Sequence, residues 1–277
     1  MKKIVCVVDN AVQRGSPFWG EHGVAFRLEV DQVCALFDTG QSGTVLTHNL
    51  GLMGGCPRDA SALILSHAHN DHTGGLPAIL SQKPGLLPLY ASPDLFRPRF
   101  SLKNGEYKSI GPPITQTEMS QLADLRLSDA PVEVLPGLWT TGEIGERSEP
   151  EGRSARHFVP HNDGWLPDPY RDDMSLVMET PEGLVVICGC CHAGLLNTLA
   201  HVRQTFQRPI IAVLGGTHLV DADEIHLQRV TEVLRDRYAS PRLYLNHCTG
   251  ERAILALANA FGERVNPCPV GTTLTFD

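Results

Sequence analysis

A chain of 277 residues, 42% hydrophobic and 19% charged, is long enough for one large or two small domains and can bury a substantial core. Its formal net charge of −8 argues against nucleic acid as a principal partner, because phosphate backbones are held by basic patches; a small phosphorylated ligand needs only a few local donors. No apolar run approaches the roughly eighteen residues of a membrane span. The eight cysteines are scattered apart from Cys188, Cys190 and Cys191 and form no pair of C-x-x-C motifs, so the chain reads as a soluble cytoplasmic protein with reduced thiols and no membrane partner.

The elements follow in chain order. Met1 to Asp9 opens with two lysines, but its apolar run stops too early for a signal peptide and predicts a first strand. Val24 to Val30 alternates apolar with polar residues, and Val33 to Phe37 follows after Asp31-Gln32, which predicts a hairpin. Residues 44–53 read as a short helix, 60–66 as a buried strand and 74–82 as a helix. From Pro84 to Asp172 twelve prolines exclude long helices, and this stretch reads as a few strands plus an extended cover. Regular structure resumes with a hairpin over 175–180 and 184–188. Then come a helix over 194–206, a strand over 209–214, an amphipathic helix over 223–237, a strand over 242–245, a helix over 250–261 and a closing strand near 270–276.

Between the strand at 60–66 and the next helix lies Ser66-His67-Ala68-His69-Asn70-Asp71-His72-Thr73-Gly74-Gly75. Three imidazoles and a carboxylate within six residues is a metal-binding density. On extended backbone His67 and His69 project to one side and can grip one ion. Asp71 and His72 fall where the chain turns into the helix and can hold a second. This cluster cannot complete two coordination spheres alone. His192, in Gly189-Cys190-Cys191-His192-Ala193-Gly194, and His247, in Asn246-His247-Cys248-Thr249-Gly250, both follow predicted strands and are the expected further ligands. His218, in Gly215-Gly216-Thr217-His218-Leu219, has the same placement and reads as a ligand or a substrate contact.

The pattern H-x-H-x-D-H, after an apolar strand and before Thr-Gly-Gly-Leu, resembles that of the metallo-β-lactamase superfamily. Further segments resemble one branch of it, named for the archaeal 7,8-dihydropterin-6-ylmethyl-4-(β-D-ribofuranosyl)aminobenzene 5′-phosphate synthase. They are Glu21-His22-Gly23, Phe37 to Gly43, Asp172-Asp173, Gly189 to Gly194, Gly215 to Leu219 and His247 to Gly250. Cys191 stands where serine is commoner in the branch. The resemblance implies an α/β fold, an αββα sandwich over residues 1–277 as a single domain, with 93–172 as an irregular insertion covering the site. It implies two divalent cations held by His67, His69, Asp71, His72, His192 and His247, with Asp71, His72 and His247 also in the catalytic role. Superfamily enzymes usually bridge their metals with an Asp after a glycine at a strand end; that register here gives Gly189-Cys190, so the bridge is missing or is replaced by His192, Cys190 or Asp173. Asp38 is expected to accept a hydrogen bond from a ligand imidazole.

The branch chemistry is transfer, joining a dihydropterin methyl pyrophosphate to an aminobenzene ribosyl phosphate with loss of pyrophosphate. The superfamily default is hydrolysis by metal-activated water, and a non-catalytic ligand sensor is the third reading. Zinc suits the donors first, with iron or manganese as alternatives. The expected partner is a phosphorylated, ring-bearing small molecule, contacted by Thr249, Gly250 and His218, with Thr249 capping the helix that begins there. Trp139, Phe158, Trp165 and Tyr170 are candidates for an apolar wall, or form the cover's own small core. Residues 143–157 read as a loosely held lid, with Arg147, Arg153 and Arg156 as candidate phosphate contacts.

Overall fold

The computed structural model describes residues 1–276. In chain order the elements are β1 Lys2–Val8, β2 Ala25–Val30, β3 Val33–Phe37, α1 Gly43–Leu52, β4 Ala60–Ile64, α2 Asn70–Thr73, α3 Leu76–Leu80, β5 Leu87–Ala91, β6 Phe100–Lys103, β7 Glu106–Ser109, α4 Gln116–Leu122, β8 Ala123–Leu127, β9 Glu133–Leu135, β10 Leu138–Thr140, β11 His157–His161 and β12 Gly164–Pro167. The second half continues with β13 Leu176–Glu179, β14 Leu184–Cys188, α5 Leu195–Phe206, β15 Ile210–Gly215, α6 Glu224–Tyr238, β16 Arg242–Leu245, α7 Glu251–Phe261, β17 Val265–Pro267 and β18 Thr273–Phe276.

Two seven-stranded sheets, ordered β18-β1-β2-β3-β4-β5-β8 and β17-β16-β15-β14-β13-β10-β9, form the sandwich. Period-two alternation gives each strand two apolar faces. The inner faces meet through Ile4, Phe26, Leu28, Phe37 and Ile64 from the first sheet and Leu176, Met178, Val185, Ile187 and Leu214 from the second. The outer face of the first sheet packs Leu36, Leu63 and Leu89 on Leu46 and Leu50 of α1 and Ile79 of α3. The outer face of the second packs Val186, Val213 and Leu243 on Leu199 of α5, Val230 of α6 and Leu257 of α7. This is the expected αββα sandwich. The β2–β3 hairpin closes as expected at Asp31 and Gln32, both at positive φ (48° and 71°), the backbone that a two-residue turn matched to strand twist requires.

Strand direction positions the site. β3 and β4 run parallel, and so do β14, β15 and β16. Their C-terminal ends therefore emerge at one edge, carrying Asp38, His67, Cys190 with His192, His218 and His247 respectively. Crossovers through helices force this arrangement and leave the loop ends free for chemistry.

The stretch 93–172 is more ordered than an irregular cover. β8 joins the edge of the first sheet, β9 and β10 join the edge of the second, and β6, β7, β11 and β12 build a separate four-stranded sheet ordered β12-β11-β6-β7. Prolines do not prevent this because the strands are only three to five residues long, Pro167 lies in edge strand β12, and Pro160 lies beyond the His157–Phe158 stretch where β11 pairs with β6. The small sheet has its own aromatic cluster, with Tyr107 stacked on Trp165 at 3.9 Å between centroids and Phe100 edge-on to Trp165 at 4.9 Å. Among the described residues no helix is long and apolar enough to cross a membrane.

Candidate metal centre

Three groups of metal-ligating atoms, each confined within 4.8 Å, lie along the shared sheet edge: His67, His69 and His192; Asp71, His72, Cys190 and His247; and Cys190, His218 and Cys248. All six expected ligands are thus brought together: His67 and His69 share one group and Asp71 and His72 another, as anticipated, and His192 joins the first and His247 the second. His67 Nε2 lies 3.1 Å from His69 Nδ1. Asp71 Oδ2 lies 3.5 Å from His72 Nε2, 3.3 Å from His247 Nε2 and 3.4 Å from His22 Nε2.

The ring nitrogens facing away from these groups are occupied. His67 Nδ1 meets Ser66 Oγ at 2.9 Å, His72 Nδ1 meets Asp38 Oδ2 at 2.7 Å, His192 Nδ1 meets the Gly152 carbonyl at 3.1 Å, and His247 Nδ1 meets Asn10 Oδ1 at 3.1 Å. With Nδ1–H donating, each Nε2 presents a lone pair inward, the arrangement in which an outer hydrogen bond fixes the tautomer of a ligand histidine. Among the described residues the buried Nε2 atoms of His69, His192 and His247 have no hydrogen-bond partner, His247 Nε2 having only the Asp71 oxygen as a charged neighbour. Burying so many polar atoms unpaired costs free energy, and divalent cations are what would satisfy them. The donor chemistry therefore fits the metals expected from sequence.

Asp38 holds the two halves of the histidine loop, accepting from Ser66 N at 2.7 Å, Ser66 Oγ at 2.6 Å and His72 Nδ1. Its φ of 60° is unusual for a non-glycine residue and is kept by these three bonds. A Cβ on Gly189 would collide with Ser66 and lie 2.9 Å from Asp38 Oδ2, so glycine is needed where β14 ends against this network.

Charge divides the site in two. Burial, then the neighbouring imidazoles, push His67 well below the ordinary histidine range, and His69 and His192 follow for the same reasons, which keeps all three neutral at pH 7. Around His72 burial also opposes charge, but Asp71 and Asp38 overcome it and lift the imidazole to about 9. Asp71 is held well below the usual carboxylate range: burial works against this, and His72 and His247 outweigh it. Without a cation His72 thus holds the proton that balances Asp71, and a divalent ion bound in the second group would displace that proton.

Of the three candidates for the absent bridging carboxylate, Cys190 falls in the second group, its Sγ 3.2 Å from His72 Nε2, and not in the first. His192 belongs with the first group. Asp173 joins none of the groups among the described residues; one oxygen accepts from Ala193 N at 2.8 Å, and burial lifts the carboxyl to about 6. His218 lies beside Cys190 and Cys248, its ring 4.3 Å from that of His192.

Several expectations need correction. Thr249 does not cap α7, whose N-cap is Gly250; its hydroxyl accepts from Thr217 N at 3.2 Å and Thr217 Oγ1 at 3.0 Å and donates to the Gly215 carbonyl at 3.4 Å, so it is not a free donor to a substrate. Arg147 is spent on the carbonyls of Ile144, Pro169 and Tyr170, whereas Arg153 lines an open cleft of about 450 Å³ shared with His218 and His226. The segment 143–157 is not loosely held: Ile144 is buried, Glu151 is buried and accepts from Leu196 N and Asn197 N, and Gly152 braces His192. Of the four aromatics only Tyr170 reaches the site, stacked flat on His192 at 4.3 Å; Trp139 packs on Phe206 outside it, and Phe158 and Trp165 belong to the small sheet.

Sequence reasoning passed over His157 and Asn10, and quoted Ser66, Cys248 and His22 without giving them a role. His157 lies 4.8 Å from His69 between ring centroids and bonds the Tyr170 hydroxyl at 2.9 Å; burial, with His218 and Arg156, lowers it to about 4. Arg99 is fully buried, ion-paired to Asp168 at 3.0 Å and Asp172 at 2.7 Å, and the other Asp172 oxygen accepts from Ala68 N in the histidine loop at 2.8 Å. That network bolts the small sheet to the site. A groove of about 930 Å³ lies at the opposite end of β14–β16, and its Arg203, Arg208 and Arg264 bond backbone carbonyls of nearby turns and helix ends. It contains none of the three ligand groups.

Residues 20–190 match the model of the metallo-beta-lactamase superfamily. The chain belongs to that superfamily. It is accordingly a metal-dependent enzyme of the transferase or hydrolase kind. It is 27% identical to the 7,8-dihydropterin-6-methyl-4-(beta-D-ribofuranosyl)-aminobenzene-5'-phosphate synthase of Methanocaldococcus jannaschii, over 99% of this chain and 96% of that protein. It is similar in structure to Tm1679, described as a metal-dependent hydrolase of the beta-lactamase superfamily, at a TM-score of 0.84 with 25% identity over the whole of both chains. A diphosphatase of the PhnP family shares the fold at a TM-score of 0.56 and 10% identity, over 100% of this chain and 98% of that one.

Proposed function

We propose that this protein is a dinuclear metal enzyme, zinc being the first candidate ion, that acts on a phosphorylated or pyrophosphorylated ring-bearing small molecule and transfers its ring-methyl group to an amine or carbon nucleophile with loss of pyrophosphate. The carrying observation is the pair of adjacent ligand groups, in which the buried Nε2 atoms of His69, His192 and His247 lack hydrogen-bond partners among the described residues. Similarity to the synthase over nearly the full length of both chains supports transfer as the reaction. Its eight free cysteines suit a reducing, cytoplasmic setting.

His67, His69 and His192 would hold one cation, and Asp71, His72, Cys190 and His247 the other. Bound there, divalent ions polarise phosphoryl oxygens and neutralise charge on departing pyrophosphate. The remaining work falls to the chain. Asp38 and Ser66 keep His67 and His72 in their inward tautomers. Tyr170 and His157 wall the first group and exclude water from it. His22, with a side chain 64% exposed, stands at the mouth with Nε2 3.4 Å from Asp71 Oδ2. Partial desolvation, with His247 and His72 alongside, keeps His22 below the ordinary histidine range against the pull of Asp71, so it is neutral and placed to take the proton an amine nucleophile releases.

Hydrolysis is the second reading, supported by the likeness to Tm1679. Elemental analysis after metal-replete expression is expected to find two divalent ions per chain, and His69→Ala to lose metal together with activity. Pyrophosphate release from pyrophosphorylated ring compounds, measured with and without an arylamine, separates the readings: acceptor-dependent release supports transfer, acceptor-independent release supports hydrolysis. Less than half an equivalent of metal, or no preference for phosphorylated over unphosphorylated rings, would sink the proposal.

A further inference from the structure

Beyond the two metal groups lies a third that shares one member with the second. Cys190 Sγ, Cys248 Sγ and a ring nitrogen of His218 lie within 4.8 Å of one another. They come from three successive strand ends, after β14, β15 and β16, so the convergence is tertiary rather than a local accident of sequence. We propose that Cys190, His218 and Cys248 form a further cation position, selective for a thiophilic divalent ion, with the Cys190 sulfur bridging it to the neighbouring group of Asp71, His72 and His247.

Four observations carry this. Two thiols and an imidazole are the donor set of tetrahedral zinc and cadmium sites. A tetrahedral ion bound at about 2.3 Å by sulfur keeps its ligand atoms roughly 3.5–3.8 Å apart, within reach of the observed spacing after small side-chain adjustments. The buried Nδ1 of His218 has no hydrogen-bond partner within the protein, so the ring has a lone pair or a proton to place. The backbone is shaped to bring the group together: Cys191, His218 and His247 all hold positive φ, at 57°, 51° and 49°. A Cβ on Gly216 would lie 2.6 Å from Cys248 Sγ, so only glycine leaves room for that sulfur. Three strained non-glycine residues around one thiol pair are held by the surrounding structure and mark a site rather than a packing accident.

The position is reachable. His218 and Cys248 are half-buried, and His218 lines the cleft of about 450 Å³ that opens between residues 147–153 and α6. Three protein donors would leave a fourth tetrahedral position for water or for an anionic or thiol-bearing ligand, and His218 is the member of the group that lines the cleft. Two thiolates would balance a dication, so the ion adds little net charge beside the first two.

This inference rests on the metal-centre reading only through Cys190, and cadmium chloride titration of the chelator-stripped full-length protein, under a phosphine reductant, separates the two. Ultraviolet charge-transfer absorbance reports cadmium–thiolate bonds, and elemental analysis after desalting reports stoichiometry. Three cadmium ions per chain are expected in the wild type. In Cys248→Ser two ions are expected, with the band reduced to roughly one third, because only one of three sulfur–metal bonds survives. His218→Ala leaves both thiols in place and is expected to weaken the third equivalent while the first two are retained, which guards against misfolding of the cysteine variant. Equal stoichiometry and equal absorbance in wild type, Cys248→Ser and His218→Ala would overturn the site. Failure of the metal-centre reading looks different: His69→Ala would then bind as much cadmium as the wild type.

Discussion

Asp38 shows how much of the site depends on a residue that would touch no metal. It accepts three hydrogen bonds, from Ser66 N, Ser66 Oγ and His72 Nδ1, while fully buried at positive φ. Removing the carboxylate frees the His72 ring to rotate and leaves two donors of Ser66 without partners. Asp38→Ala is expected to weaken metal binding at the Asp71–His72–Cys190–His247 group by roughly 10–100-fold and to weaken the His67–His69–His192 group less, since Asp38 reaches His67 only through Ser66. Competition with a chromophoric chelator, which resolves tight and weak equivalents, measures this; equal loss from both groups would show that Asp38 supports the fold rather than one ligand. The histidine block was readable because ligand spacing on one short segment is a local property. Asn10, Ser66, His157 and Cys248 were not, because each matters only through a neighbour supplied by another strand end. Asn10 reaches His247 across 237 positions, and no periodicity records such a contact.

At the scale of elements, amphipathic periodicity was a reliable guide wherever a helix or strand covers a sheet face. α5 and α6 bury Leu199, Val202, Val230 and Leu234 against the second sheet, and their spans fall within a residue or two of expectation. It failed between residues 93 and 172, where strands of three to five residues carry too few alternations to announce themselves and pairing partners lie far away. The loop over 143–157 misled for a related reason: its charges look solvated, yet Glu151 is buried on the N-terminal amides of α5, where the helix dipole favours a carboxylate, and its other oxygen meets His226 at 3.2 Å. The wild-type loop should therefore resist limited proteolysis even without ligand. Glu151→Ala is expected to speed cleavage between residues 143 and 157 several-fold, since it removes the anchor while leaving Ile144 in place. Mass spectrometry of the fragments locates the cut, and fast cleavage of the wild type there would restore the lid reading.

For the whole molecule, the Arg99 cluster joins the small sheet to the sandwich and makes that junction pH-dependent. One guanidinium faces the carboxylates of Asp94, Asp168 and Asp172, an excess of negative charge with almost no solvent to share it. Burial, followed by Asp168 and Asp173 against the pull of Arg99, lifts Asp172 to about 7. Between about pH 4 and pH 7 the folded chain thus keeps a proton that an unfolded aspartate has released. Unfolding sheds that proton, so the stability contributed by Asp172 is complete in acid and is lost as pH rises through 7, with a slope of at most about 1.4 kcal/mol per pH unit. The buried neutral histidines act in the opposite sense over the same range, and comparison with a variant subtracts them out. Asp172→Asn mimics the protonated form and retains an oxygen for Ala68 N, so its stability relative to the wild type is expected to improve steadily from pH 5 to pH 7.5. Urea denaturation of metal-free protein across that range measures the difference. A relative stability independent of pH would mean that Arg99 keeps Asp172 ionised throughout, and that the junction between the small sheet and the histidine loop is a permanent ion pair rather than a titrating one.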